Sequence, residues 1–267
     1  MTILKFKLII LLTSISLIYG FSSIKNKQPE SEVELGKMLF FEKKLSKDNS
    51  ISCASCHKPE YAFADTVAFS KGINGRVGFR NAPSIMNMKD RQIYFYDGRA
   101  NSLEDQVHFP IEDTLEMSLS FEIAVKKIEN DKKYKKYFLK IYGEKPTSTN
   151  IPKAIAAFER TLETSNTPFD DYMQDKENTM AESAIRGRRI FMSEKAKCFD
   201  CHFGPDLTGD EFRNIGLYNG IELIDEGRFT ITKDSSDLGK FKVPGLRNVA
   251  ITAPYMHNGM FKTLDEV

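Results

Sequence analysis

Two copies of one short motif, Cys-x-x-Cys-His, constrain this chain more than any other feature of its sequence. Together they contain all four cysteines and two of the four histidines. The motif residues are Cys53, Cys56 and His57 in the first copy, and Cys198, Cys201 and His202 in the second. Two thiols at this spacing reach both vinyl groups of a porphyrin, and the adjacent imidazole then binds the iron. The sequence therefore predicts two covalently bound haem c groups, with His57 and His202 as iron ligands.

Cysteine pairs have other uses, and three of them fit this sequence less well. A thioredoxin-type redox pair belongs in a βαβ unit, which the chain does not show. A single zinc site would have to bring together two pairs from distant parts of the chain. Two disulfides would suit an exported protein, but they leave the two adjacent histidines unexplained. Haem attachment accounts for all six motif residues.

Residues 1–22 are predicted to be a signal peptide that directs the chain to the periplasm. Lys5 and Lys7 supply a positive start, and the apolar run 8–18 is shorter than the roughly 20 residues of a transmembrane helix. The cleavage site is weak, because Ile18 and Gly20 match the small-x-small rule only at the second position. An uncleaved membrane anchor is therefore the alternative. The net charge of +1 gives no electrostatic basis for nucleic-acid binding.

The rest of the chain is predicted to be mainly α. Apolar residues recur at helical spacing, and Ser31, Asn150 and Thr179 stand where helix N-caps are expected. Polar stretches rich in Gly and Asn separate the helices, notably residues 59–83 and 203–240. Loops of this length are expected to wrap something other than protein.

A break in the helical periodicity near residues 164–168 divides the chain into two halves. Each half contains one copy of the motif, which is a weak internal repeat. We therefore predict two cytochrome c-like domains, 23–167 and 168–267, each wrapping one haem.

Several short segments outside the two motifs carry a family resemblance. They are residues 35–41, 80–83, 97–100, 103–106, 158–162, 204–205, 241–250 and 252–259. Taken in this order together with the motifs, they resemble the bacterial di-haem cytochrome c peroxidases and their MauG-like relatives.

The resemblance implies a division of labour between two haems. The N-terminal haem would react with hydrogen peroxide, and the C-terminal haem would accept electrons from a small c-type cytochrome or a cupredoxin. A homodimer is also implied. In the family, a calcium ion between the domains is bound through positions that match Asn81, Thr252 and Pro254, the last two through backbone carbonyls. Oxygen donors of this kind suit a hard cation.

The resemblance also implies which residues act on peroxide and on electrons. Glu116 would move the peroxide proton, with Gln106 as its polar neighbour, because a carboxyl in an apolar pocket has the raised pKa this task needs. Ile73 stands where many relatives have a removable histidine ligand, so the N-terminal haem is expected to be five-coordinate. Tyr96 stands where relatives have a tryptophan between the haems, and it is the expected electron-transfer residue.

The other residues of interest leave alternatives open. The second axial ligand of the C-terminal haem is expected beyond Val267. His108 is expected on the surface or at a pocket rim, with a distal haem ligand as the alternative. His257 is expected to make a structural hydrogen bond to a haem propionate or a loop. Arg99 and Arg247 either bind haem propionates or form ordinary salt bridges.

Two other functions stay open beside a peroxidase. One is a MauG-like enzyme that oxidises Trp or Tyr residues of a partner protein, which the missing distal histidine favours. The other is a di-haem electron carrier without enzymatic activity. Such a carrier should have two six-coordinate irons, and the few histidines do not readily provide the ligands.

Overall fold

The computed structural model describes residues 28–177 and 179–267, so the predicted leader lies outside the described residues. The described parts are rich in helix, as predicted. The helices are α1 (Glu32–Phe40), α2 (Leu103–Gln106), α3 (His108–Glu112), α4 (Phe121–Asn130), α5 (Lys132–Tyr142), α6 (Asn150–Glu159), α7 (Pro168–Met173), α8 (Glu182–Phe191) and α9 (Phe229–Thr232). Two short strands, β1 (Phe212–Arg213) and β2 (Phe241–Lys242), pair antiparallel.

Helices α1 and α6 cross at very close range in the core of the N-terminal half. Ser31 caps α1 as predicted, because its hydroxyl accepts the Glu34 amide at 3.2 Å. Gly36 makes the crossing possible, since a Cβ at this position would lie 1.7 Å from the carbonyl oxygen of Ala154. The apolar faces of α1 and α6 are buried with those of α4 and α5. This four-helix core supports the loop that contains the first motif.

Two predicted helix starts differ from the observed ones. Helix α6 is capped by Thr149 and not by Asn150, whose side-chain oxygen accepts the Thr147 amide at 2.8 Å one turn earlier. The N-cap position of α8 is Ala181 and not Thr179, whose hydroxyl donates to the carbonyl of Lys176 at 3.3 Å. In both places a local side-chain bond to the backbone of the preceding turn replaces the expected cap.

The C-terminal half is mostly loop and is joined to the N-terminal half by ion pairs. Arg91 bonds Asp206 and Asp210, both at 2.7 Å. Arg80 bonds Asp225 through its Nε at 2.7 Å and its Nη2 at 2.8 Å. The side chains of Arg80 and Asp225 are only 16% and 14% exposed, so this contact is largely screened from water.

Within residues 28–177 and 179–267, no helix has both the length and the apolar character that crossing a membrane requires.

Candidate haem and peroxide site

The first motif folds into a tight turn that presents the cysteines and the histidine together. Cys53–Ser55 is one turn of 3₁₀ helix, and the amide of His57 donates to the carbonyl of Cys53 at 2.9 Å. The Nδ1 atom of His57 lies 3.0 Å from the carbonyl oxygen of Phe63. A carbonyl can only accept, so Nδ1 carries the proton and Nε2 keeps the lone pair that a metal ligand needs.

The second motif repeats this geometry in the other half of the chain. Cys198–Asp200 forms the 3₁₀ turn, and the His202 amide donates to the carbonyl of Cys198 at 2.9 Å. Nδ1 of His202 lies 3.0 Å from the carbonyl oxygen of Leu207. The sequence repeat is therefore also a structural repeat, down to the tautomer of the histidine. None of the four cysteines is in a disulfide, and two thiols with an adjacent Nε2 donor fit haem c.

Phe63 and Leu207 are the site residues that sequence reasoning missed. Phe63 and Leu207 act through their backbone carbonyls. Every residue has such a carbonyl, so the residue type could not predict these positions. The only pointer in the sequence is position, since both lie a few residues after the motif histidine.

Glu116 lies in a tight turn that is held against the loop containing Ile73. The Glu116 amide donates to the carbonyl of Asp113 at 3.1 Å, and the Ile73 amide donates to the carbonyl of Glu116 at 2.9 Å. Gly72 permits this contact, because a Cβ there would lie 1.9 Å from the carbonyl oxygen of Leu115. Ile73 itself is 2% exposed. The residue that stands in place of a distal histidine thus packs directly beside the predicted proton shuttle.

The side chain of Glu116 is accessible to solvent, but protein atoms surround its carboxyl on most sides. This burial, with the negative charge of Asp113, raises the pKa of Glu116 to about 7, while the charge of Arg99 opposes the rise. Burial also raises the pKa of the Cys56 thiol to about 11, with smaller contributions from neighbouring charges that include Glu116. Glu116 is therefore close to the first motif.

Gln106 and His108 lie where α2 ends and α3 begins. Gln106 is the last residue of α2, and no hydrogen bond of its side chain is present among the described residues. The ring of His108 lies 4.0 Å from that of Phe121, which agrees with a packing role at a pocket rim. The predicted approach of Gln106 to Glu116 stays a prediction.

Tyr96 lies between the two halves of the chain, in an aromatic cluster. Its carbonyl accepts the Lys242 amide at 2.8 Å, and its ring lies edge-on to that of His257 with centroids 6.4 Å apart. The His257 ring in turn stacks on Phe241 at 3.8 Å. Burial raises the pKa of Tyr96, so its phenol keeps its proton. Its position suits electron transfer between the halves.

The His257 ring makes no hydrogen bond to the described loops, and its expected bond to a haem propionate stays a prediction. The ring is 4% exposed, and its Nδ1 has no partner within the described residues. Its Nε2 lies 3.8 Å from Asp225, beyond hydrogen-bond distance. The backbone makes the contact instead, since the carbonyl of His257 accepts the Asn81 amide at 2.6 Å.

Asn81, one of the three residues predicted to bind calcium, bonds one short segment of backbone. The side-chain nitrogen of Asn81 donates to the carbonyls of Val67 and Ala68 at 3.0 and 3.4 Å. A Cβ on Gly259 would lie 2.6 Å from Ala68 and 3.2 Å from Pro254. Within the described residues, no cluster of three or more His, Cys, Asp or Glu side chains is placed to bind a metal. The oxygen donors here would be the amide and the carbonyls.

The two arginines considered for haem propionates form salt bridges. Arg99 bonds Asp97 at 3.0 Å and lies over the Phe95 ring. Arg247 bonds Asp170 at 2.6 Å and Asp206 at 2.7 Å.

Comparison with known proteins agrees with this geometry. A family model described as di-haem cytochrome c peroxidase matches residues 30–178. The cytochrome c peroxidase Ccp of Escherichia coli is 40% identical over 88% of this chain and 51% of its own length. The cytochrome c551 peroxidase of Nitrosomonas europaea is 36% identical over 91% of the chain and 74% of its own length.

Structure comparison points the same way. The crystal structure of a MauG-like protein associated with microbial copper homeostasis superposes with a TM-score of 0.81 and 33% identity, covering 91% of this chain and 77% of that protein. The chain spans about half the length of the Escherichia coli relative and about three quarters of the other two proteins. The family resemblance of the short segments is confirmed. The chain belongs to the di-haem cytochrome c peroxidase family, whose cofactors are haem c groups.

Proposed function

We propose that this chain is a periplasmic di-haem peroxidase that reduces hydrogen peroxide to water with electrons from a small c-type cytochrome or a cupredoxin. The observation that supports this most strongly is Glu116, a carboxyl with a pKa of about 7 beside the first motif. A group that must accept a proton and then release it near neutral pH works best with such a pKa. A simple electron carrier has no use for one.

The proposed roles follow from the chemistry of the side chains. Cys53, Cys56 and His57 would hold the haem, which when bound would supply the iron and the electrons for peroxide reduction. Ionised Glu116 takes the proton from the near peroxide oxygen and delivers it to the far oxygen, which leaves as water. Gln106 orients peroxide through its amide. Ile73 has no side-chain atom that could bind iron, so it would not compete with peroxide.

The second half of the chain supplies the electrons. We assign residues 23–167 to the peroxidatic domain and 168–267 to the domain that holds the second haem through Cys198, Cys201 and His202. Tyr96 is the proposed route between the haems, because it belongs to the N-terminal half and contacts Lys242 and His257 of the C-terminal half.

Calcium is the further ion that we propose, at Asn81, Thr252 and Pro254. Asn81 bonds the carbonyl of Ala68, and Gly259 lies close to both Ala68 and Pro254, so the N-terminal half meets the segment that contains Pro254 here. Calcium accepts neutral amide and carbonyl oxygens and completes its shell with water. Bound there, it would fix the position of the two halves relative to each other. We also propose that the protein assembles as a homodimer.

A MauG-like activity, oxidation of Trp or Tyr residues in a partner protein, is the second candidate. The similarity to a MauG-like protein and the open face beside Ile73 favour it. Both functions would use the same open iron and the same carboxyl. They differ in whether the electrons come from a redox protein or from the side chains of the partner.

The test is peroxide-dependent oxidation of a reduced donor cytochrome by protein that has received its haems in the periplasm. Glu116→Gln removes the proton-accepting group and should lower turnover by about 10²–10⁴-fold while both haem spectra stay unchanged. Glu122→Gln is the matched control, because Glu122 is exposed on α4; it should keep full turnover. Equal turnover of wild type and Glu116→Gln would refute the assignment.

A further inference from the structure

The two carbonyls that hold the motif histidines share an unusual backbone conformation. Phe63, which accepts from His57, has a φ of 56°, and Leu207, which accepts from His202, also has a φ of 56°. A positive φ is rare for residues with a side chain, because the Cβ approaches the following carbonyl. Neither residue is Gly or Asn, the residues that tolerate this conformation best. The coincidence occurs at two sites that are far apart in the sequence.

Phe63 is held in the left-handed conformation by a hydrogen bond within its loop and by contacts with two aromatic rings. The Phe63 amide donates to the Lys58 carbonyl at 2.8 Å, and its ring lies 5.9 Å from Phe40 and 6.3 Å from Phe158. The surroundings therefore hold this residue in a conformation that it would otherwise avoid.

The loop around Leu207 is held in a comparable way. The Thr208 amide donates to the Phe203 carbonyl at 2.7 Å, and the Thr208 hydroxyl donates to the Val243 carbonyl at 2.7 Å. The Gly209 amide donates to the carbonyl of Cys201, inside the motif, at 3.0 Å. These bonds flank Leu207 on its C-terminal side and tie its loop back to the motif.

We propose that Phe63 and Leu207 are positioning residues, whose left-handed backbone aims a carbonyl at the Nδ1 proton of each haem-ligating histidine and so sets the haem reduction potential. A hydrogen bond from Nδ1 raises the basicity of Nε2, and a more basic ligand favours the oxidised iron. Loss of the bond should therefore raise the potential. This proposal rests on haem attachment at the two motifs and is independent of peroxide turnover.

The test compares two substitutions of Leu207 that separate backbone conformation from side-chain packing. Leu207→Ile keeps the composition and volume of the side chain, but β-branching strongly disfavours a positive φ. Leu207→Gly loses the side chain but adopts a positive φ at no steric cost. If the backbone matters, Ile should raise the potential of the C-terminal haem while Gly leaves it near the wild-type value. The N-terminal haem in the same molecule is the internal control.

Two readouts are needed, and neither is enzymatic activity. Spectroelectrochemical titration gives the two haem potentials, and nitrogen NMR of the reduced protein reports whether Nδ1 of His202 still donates a hydrogen bond. If Leu207→Ile does not incorporate two haems, the smaller Leu207→Val imposes the same backbone restriction. A wild-type potential in the β-branched variant would overturn the proposal. An equal or larger rise in Leu207→Gly would also overturn it, since the side chain would then be the determinant.

Discussion

The pH dependence of peroxide turnover should respond to Asp113, which never touches peroxide in the proposed reaction. The carbonyl of Asp113 accepts the Glu116 amide at 3.1 Å, and its Oδ1 accepts the Leu115 amide at 2.7 Å. Asparagine keeps both acceptors, so Asp113→Asn preserves the turn and removes only the negative charge. That charge is the second cause, after burial, of the raised pKa of Glu116. The substitution should therefore lower this pKa.

The size of the effect follows from the fraction of Glu116 that is ionised. With a pKa of about 7, about a tenth of the carboxyls are ionised at pH 6, and turnover should fall about tenfold for each further pH unit below that. Complete removal of the shift would raise the rate at pH 6 by about tenfold. Burial causes most of the shift, and solvent screens the exposed Asp113, so a gain of about two- to fivefold is expected at pH 6. No gain is expected at pH 9, where Glu116 is ionised in both proteins.

Initial rates from pH 5 to 9 on haem-loaded protein measure this shift directly. Glu112→Gln is the control, because Glu112 is an exposed carboxylate next to Asp113 in the chain but does not perturb the pKa of Glu116. Its profile should match that of the wild type. An unchanged apparent pKa in Asp113→Asn, or a limb near pH 7 that persists in Glu116→Gln, would refute the reasoning.

Three further outcomes are expected. A pyridine haemochrome assay should give two haems per chain. Cys53→Ala and Cys198→Ala should each weaken the attachment of one haem and leave the other intact. Haem that can be extracted with acid from the wild type would contradict this prediction. Burial raises the pKa of Glu159 to about 8, so folding stability should decline by about 4 kcal/mol as pH rises from about 4.5 to 8. Glu159→Gln should abolish this decline in urea unfolding. Arg80→Met leaves the largely buried Asp225 unpaired and should cost about 3–5 kcal/mol of unfolding free energy, whereas a loss below 1 kcal/mol would show that the pair is solvated.

The sequence predicted the parts of this molecule that depend on residue type and spacing. Cysteine and histidine are rare in the chain. Their clustering in two Cys-x-x-Cys-His motifs was therefore enough to predict haem attachment. The cap prediction at Ser31 is confirmed, because its hydroxyl accepts the Glu34 amide in the first turn of α1. The cap predictions at Asn150 and Thr179 were wrong because nearby backbone groups compete for those side chains. Local competition of this kind depends on the turn geometry before the helix.

The residue pattern could not predict contacts between distant segments of the chain. Nothing in the sequence joins Phe63 to His57 through a carbonyl, or pairs Arg80 with Asp225 across the two halves. The position of Glu116 came from the family resemblance, and by residue type alone it is one acid among several. The structure adds the physical reason for choosing it, since burial beside the first motif raises its pKa to about 7. Exposure of the side chain does not set it apart, because Glu116, Asp113 and Glu112 are all accessible to solvent.

The most direct test of the proposed function is the stoichiometry between peroxide and electron donor. Protein matured with both haems is mixed with a reduced one-electron cytochrome and a limiting amount of hydrogen peroxide, and the oxidised donor is counted. The account predicts two donor molecules oxidised for each peroxide consumed, with no loss of Trp or Tyr in an added partner protein. Peroxide consumed at the expense of partner side chains, with the donor left reduced, would contradict the peroxidase assignment in favour of a MauG-like enzyme. If no peroxide is consumed although both haems can be reduced, the result would favour a di-haem electron carrier without enzymatic activity.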